Sequence, residues 1–163
     1  IPQVSGVGLS IELVRRLRSA YPDVIVGIKD SSGVWDNTAE LLKIEGLIVY
    51  PGAELPVIDA IKLGAPGCIS ATANWNPTDI AAVIDLCHEG RWDEAEALHE
   101  KVKKVRLLFQ DYAPIPAQKA LMARITGDDK WHNLRAPLQA ISADKAAELA
   151  TVLTTDFGFD FDS

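Results

Sequence analysis

The residues with the clearest chemical meaning stand in one decapeptide, VIVGIKDSSG, from Val24 to Gly33. Lys29 ends a run that otherwise has the composition of a buried strand. In water a lysine amine is an ammonium, but where apolar walls strip its hydration the neutral amine becomes a nucleophile toward ketones. Reaching that state near pH 7 asks for roughly 3 to 5 kcal/mol of differential penalty on the charged form, which only substantial enclosure supplies. The bland alternative is a lysine whose stem packs at the strand end while its amine reaches water or pairs with Asp30. The strand alone does not separate the two, since most lysines are structural.

Side chains alternate along a strand, so Ile25, Gly27 and Lys29 share one face while Val24, Val26 and Ile28 share the other. Gly27 thereby clears space beside Lys29. More polar groups follow other apolar runs. DSSG supplies Ser31 and Ser32, PGAE supplies Gly52 and Glu54, and SATANWNP supplies Ser70, Thr72 and Asn74. In a barrel or an open parallel sheet alike, the C-terminal strand ends and their loops form the ligand side, so these clusters converge on one rim. Each cluster taken singly is also ordinary turn chemistry.

The elements that must position these groups are three short apolar runs, Val24 to Ile28, Leu47 to Tyr50 and Gly67 to Ser70. Each is followed by a turn and a helical pattern, which reads as βαβαβα. The runs do not alternate apolar with polar, so both sheet faces should be covered. Ser10 predicts the N-cap of a helix over Ile11 to Ala20, and Asp36 or Asn37 caps the next. Glu54 to Leu63 forms another, ending at Gly64. Asn76, Pro77 and Gly90 bracket a further helix with Ile80, Val83, Ile84 and Cys87 on one stripe. Beyond it the strands stop. Trp92 to Phe109, APIPAQKALMARITG, and Ala143 to about Leu153 behind Ser142 read as three helices. The chain divides into an α/β part, residues 1–90, and a helical part, residues 91–163.

Several function classes lose support. The formal net charge is −7 without any Lys/Arg-rich block, so a nucleic acid meets repulsion. Cys68 and Cys87 have neither CxxC nor zinc-finger spacing and read as reduced thiols of a cytoplasmic protein, with no metal called for. The adjacent Cys87 and His88 point to different helix faces. His88, His99 and His132 are scattered, and His99, flanked by charges, reads as a surface residue. No G-x-G-x-x-G or Walker motif marks a nucleotide, no cofactor is implied, and no apolar run is long enough for a membrane span. KVKKVR, from Lys101 to Arg106, reads as a solvated helix face.

The motif GIKDSSG resembles the Schiff-base strand of the dihydrodipicolinate synthase / N-acetylneuraminate lyase family, class I aldolases with a (β/α)8 barrel and a C-terminal helical bundle. The resemblance extends over the chain. IPQVSGVGLS is similar to the loop after the family's fifth strand, YPGAE and GAPGCISATANWNP to the seventh and eighth strand ends, and APIPAQKALMARITG to a bundle segment. It implies a partial TIM barrel, strands 6 to 8 with their helices, followed by a C-terminal three-helix segment. By the same resemblance Lys29 matches the lysine that forms an imine with pyruvate or another 2-keto acid. Ile69 matches the residue whose backbone carbonyl faces the substrate, and Gly52, Glu54 and Ser31 match substrate-tail contacts of lyase-type members. The implied partners are a 2-keto acid and an aldehyde, and the implied assembly is a homotetramer.

The chain departs from the family pattern in three places. The family's proton-relaying tyrosine precedes Ile1, and its carboxylate-binding threonine pair belongs to an early strand; neither lies in this sequence. A closed barrel needs about 200 to 250 residues, so the chain reads as the C-terminal portion of a longer enzyme. Synthase members carry a P-x-R-T-G loop, where this chain has Pro2, Gln3, Val4, Ser5 and Gly6. Valine cannot pair with a carboxylate, so the resemblance points to a sugar-acid-like substrate rather than dihydrodipicolinate synthesis itself. Two other readings compete: a catalytically silent fragment that acts as a ligand-binding or assembly module, and an open-sheet phosphate site built on DSSG.

Overall fold

A computed structural model describes residues 1–161. Among these, the chain separates into two compact units, Ile1–Lys103 and the segment from Lys104 onward.

The first unit opens with a helical turn, α1 (Pro2–Ser5), inside the segment expected to be a loop; Gly6, at φ 70°, ends it. α2 (Ile11–Ala20) begins at Ser10, whose side chain accepts from the Leu13 N–H, so this N-cap stands where the sequence places it. The strand expected over Val24 to Ile28 is shifted: β1 covers Gly27–Asp30. The cause is local, because the N–H groups of Val24 and Ile25 both donate to the Tyr21 carbonyl and hold this stretch in the turn leaving α2. Val24 and Val26 are exposed as a result. β2 (Ile48–Pro51) lies parallel to β1 in a two-stranded sheet, with Gly27 opposite Ile48, Lys29 opposite Tyr50 and Asp30 opposite Pro51.

The third run, Gly67 to Ser70, is not a strand. One backbone bond, Ile69 N–H to the Pro51 carbonyl at 3.0 Å, lays it beside β2. The chain then turns into a 3-10 helix, Ala71–Asn74. A single ladder bond is too few for strand pairing.

Expected coverage of both sheet faces is also corrected. Val14 of α2, Leu41 of α3 (Trp35–Leu42), Ile44, Leu47 and Val49 form a core on one face. The other face carries exposed Gly27, Lys29 and Ile48 and half-buried Tyr50. A second core joins Val57, Ile58 and Ile61 of α4 (Val57–Lys62) to Ile80, Val83 and Cys87 of α5 (Pro77–His88). Ala95 and Val102 of α6 (Trp92–Asp111) complete it.

Helix starts differ where polar side chains are engaged elsewhere. α3 starts after Val34 without a side-chain cap, since Asn37 is spent on Asp30 and Asp36 sits in the first turn. α4 starts three residues later than expected, behind Pro56, with Glu54 in the preceding turn. α5 begins at Pro77 as read, but the Asn76 side chain makes no cap bond. In the second unit α7 (Pro114–Thr126) buries Ala117, Ala120 and Leu121. There α8 (Ala143–Phe157), capped by Ser142, buries Leu149, Ala150 and Leu153. α8 continues beyond Leu153 to a Gly158 terminus at φ 75°.

Candidate active site

The strand ends are drawn together by backbone bonds running across the sheet. Gly52 N–H donates to the Asp30 carbonyl at 2.7 Å, and Ile69 N–H donates to the Pro51 carbonyl. The DSSG turn, the PGAE turn and the start of SATAN therefore lie side by side, so the convergence expected from sequence is present. Two glycines make the approach possible. A Cβ on Gly27 would stand 2.7 Å from the Ile48 carbonyl oxygen, and one on Gly52 would stand 2.8 Å from Ser31 Cα and overlap Ser31 Oγ. Gly27 thus serves the neighbouring strand's backbone, a role beyond the space beside Lys29 that alternation suggests.

Lys29 is exposed and makes no ion pair with a described residue. The alternative pairing with Asp30 does not occur, because the two side chains leave opposite faces of β1. Asp30 is 8% exposed and accepts from the Ser32 N–H at 2.9 Å, Asn37 Nδ2 at 3.1 Å and Thr38 Oγ1 at 2.7 Å. Burial raises its proton affinity, and the bonds from Thr38, Ser32 and Asn37 outweigh that, holding the carboxyl below its ordinary 3.8. The DSSG turn is further tied to α1 by Gln3 Nε2, which donates to the Ser32 carbonyl at 2.6 Å.

Among the remaining candidates, Ser31 is half-buried against Gly52, and Ile69 is 46% exposed at the rim. Glu54 is placed differently from a solvent-facing contact. It is 1% exposed and accepts a hydrogen bond from Ser70 Oγ, which also lies 3.1 Å from Thr72 Oγ1. Its backbone carbonyl accepts from His99 Nε2 at 2.8 Å. His99 is therefore buried, a correction to its reading as a surface residue; Glu96 and Glu100 lie on the same side of α6 and remain exposed. Nearby Cys68 is half-buried, and desolvation together with the Glu54 charge pushes its thiol up to about 12, which makes it a poor nucleophile. No group of His, Cys, Asp and Glu side chains able to hold a metal occurs among the described residues. No helix among them is long and apolar enough to cross a membrane.

Sequence reasoning passed over Tyr50 and Asp30. Tyr50 stands opposite Lys29 on the open face. The signal was available in the spacing, since Lys29 precedes Ser31 by two residues and Tyr50 precedes Gly52 by two. It could be used only once the register was known. The partners of Asp30 come from the next helix and carry no comparable signal.

Residues 1–156 match the profile of the Dihydrodipicolinate synthetase family. A 4-hydroxy-tetrahydrodipicolinate synthase of Methanosphaerula palustris is 34% identical over 159 residues, covering 95% of this chain and 53% of that protein. The crystal structure of dihydrodipicolinate synthase from Agrobacterium tumefaciens is similar with a TM-score of 0.77 at 32% identity, covering 98% of this chain and 52% of the other. YagE of Escherichia coli, solved in complex with pyruvate, shares the fold at a TM-score of 0.81 and 20% identity, covering 94% and 53%. The chain spans about half the length of the curated relatives it matches.

Proposed function

The chain belongs to the dihydrodipicolinate synthetase family, and from that premise we propose that it carries the imine-forming lysine of a class I aldolase or lyase. In this reading the uncharged Lys29 amine attacks C2 of pyruvate or another 2-keto acid. The carbonyl oxygen leaves as water, and the protonated imine draws electrons from the neighbouring carbon. A carbon-carbon bond to an aldehyde then forms or breaks there. The observation that carries the proposal is the position of Lys29 at a C-terminal strand end, on the open face, beside the converged DSSG, PGAE and SATAN segments. Ile69 offers its backbone carbonyl, Gly52 and Ser31 bound the substrate tail, and the Glu54 carboxylate lies behind them with Ser70.

The β1 and β2 strands and the Ile69 segment take the places of strands 6, 7 and 8 of a TIM barrel in this proposal, as the C-terminal portion of a longer cytoplasmic enzyme that assembles as a tetramer. The barrel fold of relatives about twice as long supports that placement. The absent threonine pair and tyrosine then come from outside this chain. Val4 in place of a loop arginine favours a sugar-acid-like substrate, although the curated relatives are named for dihydrodipicolinate chemistry. One observation favours a second reading, a catalytically silent binding or assembly module: the face bearing Lys29 is exposed, so an enclosure able to desolvate an ammonium is not built by the described residues alone.

Borohydride reduction in the presence of pyruvate, followed by peptide mapping, separates these readings. The aldolase proposal expects a stable adduct on the peptide that carries Lys29. An unlabelled Lys29 in a protein that still cleaves or forms the carbon-carbon bond would overturn it.

A further inference from the structure

We propose that Tyr50 determines substrate specificity, its hydroxyl hydrogen-bonding the C4 hydroxyl of a 4-hydroxy-2-keto acid held on Lys29; this rests on the imine reading above. Lys29 and Tyr50 are partners in the parallel β1–β2 register. Both precede a buried residue, Asp30 and Pro51, and alternation therefore turns both side chains to the open face. Neighbouring strands lie about 4.7 to 4.9 Å apart, so the two side chains rise next to each other. The Tyr50 residue is half-buried, and its hydroxyl has no hydrogen-bond partner among the described residues.

Elimination narrows the role. Ile48 and Ile69, the exposed side chains nearby, are hydrocarbons. The carboxylates of Asp30 and Glu54 are buried and already engaged by Thr38 and Ser70. Ser31 lies one step further out, against Gly52. At the level of the lysine, Tyr50 is thus the side-chain donor this chain presents, two residues before Gly52 on the same strand line. A 2-keto acid bound through C2 has C4 two bonds along its chain, within reach of a side chain next to the lysine. A hydroxyl there gives the phenol a partner, and an analogue without it forgoes that bond.

The test is reductive trapping at Lys29 in the chain as it stands, with pyruvate, 2-oxobutanoate and 4-hydroxy-2-oxobutanoate titrated separately. Wild type should reach half-maximal labelling with the hydroxylated acid at a concentration about three- to tenfold lower than with 2-oxobutanoate. Tyr50→Phe should remove that advantage, so that its half-saturation by the hydroxylated acid relative to pyruvate rises by the same factor. Equal half-saturation of wild type by the two four-carbon acids would overturn the proposal without any variant. So would a Tyr50→Phe loss shared equally by all three acids, which is the mark of a structural role. Absence of any adduct on wild-type Lys29 would instead favour the catalytically silent reading of this chain, and the role of Tyr50 would fall with it.

Discussion

The two faces of the β1–β2 sheet are built by opposite rules. On one, Val49 and Asp30 are shut beneath α2 and α3, the Asp30 carboxylate accepts from Thr38, Asn37 and the Ser32 N–H, and apolar groups meet apolar groups. On the other, Lys29 and Ile48 are exposed, and Lys29 has no partner among the described residues. The sequence of each strand supplies both faces at once, since alternate residues go to alternate sides. The closed face therefore contributes stability and holds the geometry, and the open face holds the groups that could react. A buried carboxylate next in sequence to an exposed lysine is the sharpest form of the contrast.

Substitutions can break this division of labour. Lys29→Met should abolish pyruvate trapping altogether while moving stability by no more than about 0.5 kcal/mol, as expected of an exposed site. Trapping and urea denaturation measured on the same preparation check both halves. Leu41→Ala, on the closed face at 1% exposure, should cost about 2 to 5 kcal/mol in the same denaturation experiment. Asp30→Ala should cost about 1 to 3 kcal/mol, because Thr38 and the Ser32 N–H lose their acceptor.

Asp30 also sharpens the comparison through pH. Its folded carboxyl lies below the ordinary 3.8, so its contribution to stability is present above that value and lost as pH falls through the folded one. The stability gap between wild type and Asp30→Asn should accordingly shrink as pH is lowered past 3.8. A gap that stayed constant would place the bonds to Asp30 outside the account. The smallest effect belongs to the open face: Ile48→Thr should change stability by only about 0.5 kcal/mol. Because Val24 and Val26 before β1 and Ile48 on the open face are exposed apolar side chains, the chain should self-associate, and Ile48→Thr should lower the mass seen by light scattering. A monodisperse wild-type monomer would contradict that.

What could be read from sequence was local. Ser10 and Ser142 each cap the helix predicted for them, and Pro77 opens α5, because caps depend on residues within one turn. The crowding of DSSG, PGAE and SATAN at one rim followed from the parallel-sheet rule. What was not legible depended on distant partners. His99 is drawn inward by the Glu54 carbonyl, forty-five residues away. Asn37 is diverted from capping to Asp30. Gly67 to Ser70 has the composition of a strand but finds one backbone bond to β2. Periodicity could place Lys29 at a strand end, yet it could not reveal which face the described residues would cover.

Our proposal is that the open face presents Lys29, among all the lysines of the chain, for reaction with a 2-keto acid. Its most direct test maps borohydride-reduced pyruvate adducts over every lysine, once in native buffer and once in concentrated urea. We expect an adduct concentrated on Lys29 in the folded chain and an even, weaker distribution after unfolding. The same even distribution in both conditions would contradict it.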